Sequence, residues 1–312
     1  MRKIEHYGRD VVTKLASQRL GGKRWASRFV QNRKLALGRR FLAQNNIIAS
    51  DIKRVLAVGA HPDDVEMMCS GTLFALHQLG LEVHVASLTL GDCGSVELSA
   101  EEIRSIRHRE AVKACEVLEA TYHHAGFADL CIFSNDNSNR RVTALLREVD
   151  PWIVITHPPN DYMSDHEVTS LLVRNACFNA SIPNYETKLG AAGYTSTVPY
   201  LYYAQPVDGI DIFGKKVTPQ FYVDISAVMH QKAEMLACHE SQHDWLRVHH
   251  GMDEYMESMR RFNASLGQRA STVSGRPILY AEAFRQHRSH AYPDDNIIAT
   301  LLRESVIEET AY

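Results

Sequence analysis

Histidine and aspartate crowd two short segments of this 312-residue chain in a pattern that suits metal chemistry. The first is Ala60-His61-Pro62-Asp63-Asp64-Val65-Glu66, and the second runs from His157 through Asp161-Tyr162-Met163-Ser164-Asp165 to His166. His61 and Asp64 stand at H-x-x-D spacing in a turn, close enough to converge on one ion. A borderline cation such as Zn²⁺ accepts imidazole nitrogen and carboxylate oxygen together. Asp63 lies beside the pair without sharing its direction, where a general base for a metal-polarised water belongs. Catalytic zinc takes three protein ligands and keeps one position open; His166, near the start of the next helix, is the candidate third. A plainer reading makes Asp63 or Asp64 a helix cap and His166 an ordinary helix-terminal histidine. Two such turns in one chain favour the metal.

Both turns follow buried strands. Val55–Ala60 is a continuous apolar run, as expected of a strand covered on both faces of a parallel sheet. Ser70–Leu79 reads as a helix, Glu82–Leu88 as a strand and Ala100–Leu118 as a long helix. Trp152–Thr156 is another strand, and a helix follows from Asp165 to about Ala180. This alternation predicts an α/β fold with a mostly parallel sheet flanked by helices, in which ligands gather at the carboxyl ends of strands. Residues 181–220 read as loops and short strands, with strands at Leu201–Tyr203 and Phe221–Val223 and a helix over Gln231–Leu246. His123-His124 and His249-His250 read as surface turns.

Apolar residues make up 45% and charged residues 23%, which excludes a disordered chain, a coiled coil or a disulfide miniprotein. The net charge of −3 hides an asymmetry: residues 1–50 hold 12 Lys/Arg against Glu5 and Asp10, and the rest is acidic. We expect two parts, a basic helical extension over 1–50 and an α/β domain with a C-terminal tail over 51–312. The arm carries its own apolar residues and no nucleic-acid motif, so it is expected to pack on its own body or a neighbouring subunit of a homo-oligomer. Nucleic acid and membrane are not expected partners. Cys69, Cys93, Cys115, Cys131, Cys177 and Cys238 form no short-range framework and read as reduced thiols of a cytoplasmic protein. The N-terminus lacks the apolar core of a secretory signal, and no stretch reaches the about 20 apolar residues that span a bilayer.

On Ala100–Leu118 the apolar stripe Ile103, Ile106, Ala114, Val117 is interrupted by Glu110, for which Arg107 is the near partner. A structural ion pair and a substrate contact weigh equally there. Asp92, in a glycine-flanked loop, either bonds a polar substrate or sits in a plain turn.

The run AHPDDVEMMCSGTL (60–73) with DYMSDH (161–166) resembles the zinc-dependent N-deacetylases of the PIG-L/LmbE type. The resemblance extends through Leu88–Gly94, Arg107–Ala111, Gly126–Asp129, Cys238–Gln242 and Tyr280–Phe284, roughly residues 53–285. It implies a Rossmann-like fold, with His61, Asp64 and His166 as ligands to zinc (Fe²⁺ or Co²⁺ could use the same donors) and Asp63 as the base. It further implies removal of acetate from a small N-acetylated amino sugar of the N-acetylglucosamine type, with Arg107 reaching towards the substrate and His239 a substrate contact. One position departs: many members have histidine where this chain has Met163, and methionine can neither donate a hydrogen bond nor carry charge. His157 and His239 are the expected replacements. The alternatives are an amidase on a non-sugar N-acyl compound and a zinc-binding pseudoenzyme with a scaffolding role.

Overall fold

Five strands lie parallel in the order β3-β2-β1-β4-β5. They are β1 (Arg54–Gly59), β2 (Glu82–Thr89), β3 (Thr121–Phe127), β4 (Ile153–Thr156) and β5 (Tyr200–Ala204). Beyond β5 the sheet continues antiparallel through β7 (Ala281–Gln286), β6 (Phe221–Asp224) and β8 (Val306–Glu308). The computed structural model describes residues 53–187, 193–243 and 255–309. The basic arm at 1–50 and His249-His250 lie outside the described residues; the helix expected over Gln231–Leu246 stops at Leu236, where a turn at Ala237–Cys238 interrupts it. Ile52–His77 with Leu81–Tyr312 forms one compact unit.

The chain runs β1 to β2 to β3 outward on one side, then returns to add β4 and β5 on the other. The direction of winding therefore reverses between β1 and β4, which opens a crevice at their carboxyl ends. Val58 of β1 pairs with Thr156 of β4, whose Oγ1 donates to the Val58 carbonyl at 2.9 Å. This register brings the two His/Asp turns, 90-odd residues apart in sequence, to one place.

Helices cover the sheet. α1 (Asp64–Met68) and α2 (Ser70–Gln78) follow β1, and α3 (Ala100–Leu118) follows β2. α3 starts with a full capping box, the Ser99 side chain bonding the Glu102 N–H and Glu102 reaching back to Ser99. α4 (Asp136–Val149), α5 (Ser164–Asn179), α6 (Met229–Leu236), α7 (Tyr255–Ser274) and α8 (Ile297–Leu302) complete the set. One core cluster joins Leu56 and Val58 of β1 to Leu88, Val154, Leu146 of α4 and Leu172 of α5. Among the described residues no helix is long and apolar enough to cross a membrane.

Four features differ from the sequence reading. His123-His124 lie in edge strand β3, not in a turn; its half-exposed, polar sequence hides the usual apolar alternation. α7 and α4 were not anticipated, although Val142, Leu145, Leu146 and Val149 of α4 follow a helical period and are buried. On α3 the buried face is Ile103, Arg107, Ala111, Ala114 and Leu118, one position round from the stripe read through Ile106 and Val117. Arg107 and Glu110 do not pair. Glu110 accepts from the backbone N–H and the hydroxyl of Ser241, at 2.8 and 2.6 Å, while Arg107 turns to the β1 turn.

Candidate active site

Gly59 ends β1 because a side chain there would strike Asp64: a Cβ would lie 2.7 Å from the Asp64 Cβ. The Asp64 carboxylate consequently folds back under the turn, where its Oδ2 accepts from the His61 N–H at 2.7 Å. Three imidazoles surround it. His61 Nδ1 lies 3.4 Å from Oδ2, His166 Nε2 3.5 Å from Oδ1, and His157 Nε2 3.0 Å from Oδ2. Burial alone would raise the Asp64 pKa; His166, His157 and His61 outweigh it and hold the pKa well below the usual range.

The outer nitrogens of the two ligand candidates are anchored on carboxylates. His61 Nε2 lies 3.3 Å from Asp165 Oδ2, which also accepts from the Leu130 N–H, and His166 Nδ1 lies 3.0 Å from Asp161 Oδ1. Asp161 and Asp165 are both buried. Such pairing fixes the ring orientation and leaves His61 Nδ1 and His166 Nε2 turned to Asp64, the arrangement found around metal-ligating histidines. Burial works to lower the His61 pKa, but its carboxylate neighbours raise it to about 10. Donor atoms of His61, Asp64 and His166 all lie within 4.8 Å of one another. Two imidazole nitrogens and one carboxylate, with anchored outer nitrogens, fit a divalent cation of the zinc type.

His157 stacks on His166 with ring centroids 3.9 Å apart. Its Nε2 also lies 3.0 Å from the Ala60 N–H, so that one nitrogen either accepts from Ala60 or donates to Asp64, not both. Burial and then His166 lower its pKa, which favours the neutral imidazole.

Asp63 caps α1 with φ 105°, a left-handed conformation that a non-glycine residue adopts at an energetic cost. This turns its carboxylate away from Asp64. The Tyr255 hydroxyl donates to Asp63 Oδ2 at 2.7 Å, and Arg107 lies 3.4 Å from Oδ1 while donating to the Pro62 carbonyl at 2.6 Å. Burial raises the Asp63 pKa, with Arg107 opposing and Asp64 reinforcing. The buried Arg107 guanidinium lies against Gly91 and Gly94, where a Cβ would come within 2.3 and 2.9 Å of its Nη1. The glycines of that loop make room for the arginine.

A cavity of about 670 Å³ opens over these groups. His61, Asp63, Asp64, Arg107, His157 and His166 form its polar floor, and Met67, Met68, Met163, Tyr255 and Phe262 contribute to its walls. Met163 caps α5 without a side-chain hydrogen bond. Asp92 and His239 are not on this wall. Asp92 accepts from Arg104 at 2.7 Å and from the Asp129 N–H at 2.8 Å, and so ties the loop after β2 to the loop after β3. Asp129 in turn accepts from the Gly91 and Cys93 N–H groups, so this acid pair is already occupied. His239 is fully buried behind Asp63, with Nε2 3.1 Å from Glu66. It is therefore no substitute for a histidine at Met163.

Comparison with known proteins extends the geometry. Residues 56–177 match the PIG-L family model, described as GlcNAc-PI de-N-acetylase. The chain is 28% identical over 202 residues to the diacetylchitobiose deacetylase of Thermococcus kodakarensis, covering 62% of this chain and 71% of that protein. It is 24% identical over 243 residues to a 4-oxalmesaconate hydratase of Pseudomonas putida, covering 75% of this chain and 88% of that protein. The N,N'-diacetylchitobiose deacetylase from Pyrococcus horikoshii shares the fold, with a TM-score of 0.62 at 23% identity over 76% of this chain and 84% of that chain.

Proposed function

From the premise that the chain is PIG-L/LmbE-like over residues 56–177, we propose that it is a metal-dependent N-deacetylase acting on an N-acetylated amino sugar or its conjugate. The observation that carries this reading is the convergence of His61, Asp64 and His166 beside a separately held carboxylate, Asp63. A divalent ion held by those three residues, zinc being the ion the donor set suits best, would polarise the acetamide carbonyl and acidify water. Asp63 takes a proton from the attacking water and returns it to the departing amine, so that amide and water become acetate and free amine. Its raised proton affinity suits both halves of that exchange. Tyr255 and Arg107 hold the two carboxylate oxygens in place.

A second reading is addition of water to an activated carbon–carbon double bond. It is favoured by Met163, which offers no hydrogen bond to a developing oxyanion, and by the hydratase relative, which aligns over more of both chains than the deacetylase does.

Metal-loaded protein incubated with N-acetylglucosamine, N,N'-diacetylchitobiose and their glycosides, and in parallel with an unsaturated oxo-acid, tests both readings. Acetate and primary amine are expected to appear one for one, and Asp63→Asn is expected to lower kcat about 10²- to 10⁴-fold with metal retained. No acetate from any acetamide, with hydration of an unsaturated oxo-acid instead, overturns the deacetylase reading.

A further inference from the structure

The loops that follow β2, β3, β4 and β5 do more than help to line the cavity. Since β2, β3, β4 and β5 are parallel, the loops that follow them share one edge of the sheet. Each also carries large apolar side chains left in water: Val96 after β2, Leu130 and Phe133 after β3, Tyr162 after β4, Ile212 and Phe213 after β5. Nine of the thirteen exposed large apolar side chains among the described residues fall in these loops, so the exposure is concentrated rather than scattered. Leu130, Tyr162 and Val207 belong to both sets, lining the cavity while remaining exposed; the apolar walls therefore continue outward past the mouth.

These side chains are presented by organised backbone. After β5 the chain forms a small hairpin, with Ile210 bridged to Lys216 and the Val217 N–H donating to the Gly209 carbonyl at 2.9 Å. Asp211 Oδ1 ties its tip, accepting from the Phe213 and Lys215 N–H groups at 3.0 and 2.9 Å. The Ile212 N–H donates to Asn160 Oδ1 at 3.2 Å, which fastens the tip to the loop after β4. Phe213 at that tip is 87% exposed. Leu130 is held at φ 58° while its N–H bonds Asp165, the same carboxylate that anchors His61. A bulky residue in that conformation is strained, and the strain here sets an apolar side chain on the cavity wall beside the floor.

We propose that these side chains form a recognition site for an apolar aglycone, so that the substrate bears an alkyl or aryl group beyond its acetamido sugar. The Ile212–Phe213 hairpin tip, Leu130 and Tyr162 grip that group. This proposal rests on the deacetylase reading of the same cavity. The occupant follows from continuity: apolar surface that starts at the catalytic floor and runs out through the mouth matches a molecule polar at one end and apolar at the other. Burying each additional methylene then strengthens binding.

The test uses metal-loaded full-length protein and the methyl, hexyl, octyl and phenyl glycosides of N-acetylglucosamine, each below its micellar concentration. Hydrolysis and equilibrium binding are measured separately. The octyl glycoside is expected to exceed the methyl glycoside at least tenfold in kcat/KM and in affinity, with the gain in KM. Ile212→Ser with Phe213→Ser is expected to reduce that ratio to within about threefold. Hydrolysis of the whole series with no octyl preference overturns the proposal and leaves the deacetylase reading standing. Preferential octyl binding with no hydrolysis keeps the recognition site and overturns the deacetylase reading. An unchanged ratio in the double variant overturns the proposal; if the variant also changes oligomeric state, or loses adsorption to phosphatidylcholine vesicles, the apolar surface belongs to a second copy or to a membrane instead.

Discussion

Two buried clusters of charge sit on the same sheet and behave in opposite ways. Lys232 of α6 and Glu282 of β7 are wholly buried, their charged atoms 2.6 Å apart. Lys232 also donates to the Met67 carbonyl at 2.8 Å, and Glu282 accepts from the Gly71 N–H at 2.9 Å and from the Thr72 N–H and hydroxyl at 2.7 and 2.6 Å. Both carboxylate oxygens have partners, so the pair pins the junction between α1 and α2 to the antiparallel half of the sheet. At the carboxyl end of the parallel half, Asp64 faces His61 Nδ1 and His166 Nε2 at 3.4 and 3.5 Å, wider than the 3.0 Å contact that orients His166 from behind. A cluster whose bonds close on one another is a fastening. At Asp64, His157 and the His61 N–H close on Oδ2, at 3.0 and 2.7 Å, while the two imidazole nitrogens that converge without closing, His61 Nδ1 and His166 Nε2, form a seat for something else.

Separate perturbation of the two clusters sharpens this contrast. Lys232→Met strands a buried carboxylate and is expected to destabilise the fold by about 3–5 kcal/mol, read by chemical denaturation. Adding Glu282→Gln should recover part of that loss, and the folded fraction should keep its metal. Loss of metal from folded Lys232→Met protein would break the distinction between the clusters. Asp161→Asn and Asp165→Asn act at the other cluster and should weaken metal binding about 10- to 100-fold, measured by competition with a chromogenic chelator, with little change in Tm. Met163→His restores a donor to the cavity wall and is expected to raise acetamide hydrolysis about tenfold, a fraction of what a well-placed oxyanion donor supplies. A rate that falls instead points to the hydratase reading.

The smallest effect concerns histidines that have no seat to form. His84 Nδ1 and His123 Nε2 lie 2.9 Å apart between Glu82 and Glu148. Burial lowers both pKa values, and for His84 the neighbouring His123 and Arg54 lower it further against Glu82. With folded pKa values below the unfolded value of about 6.5, their contribution is complete above that pH and declines as pH falls through the folded values. Between pH 7.5 and 5, Tm should fall more steeply in the native protein than in His123→Gln.

What the sequence made legible follows from distance along the chain. His61, Asp63 and Asp64 are legible because they follow directly on the end of β1, and His166 because it opens the first helix after β4; the parallel pattern says where those two strand ends meet. The carboxylates that anchor the histidines, Asp161 and Asp165, stand in the same segment as His166, but nothing in their spacing marks them as partners of the imidazoles. Tyr255 could not be found: its bond to Asp63 spans 192 residues, and no local pattern marks it. Arg107 lies on the buried face with Ile103, Ala111, Ala114 and Leu118, against the Gly91–Gly94 loop, and so does not pair with Glu110 three residues on. His239 and Asp92 are instead placed off the cavity lining. Their segments resemble the family, yet one packs behind Asp63 and the other ties two loops together.

Metal occupancy tests the distinction between fastening and seat most directly. Native protein and Asp64→Asn, each dialysed against zinc and then against metal-free buffer, are compared by elemental analysis at equal folded fraction. One tightly held ion per native chain, and none in Asp64→Asn, is the expected result. A native chain that retains no ion, or an Asp64→Asn chain that retains as much as the native, contradicts the account.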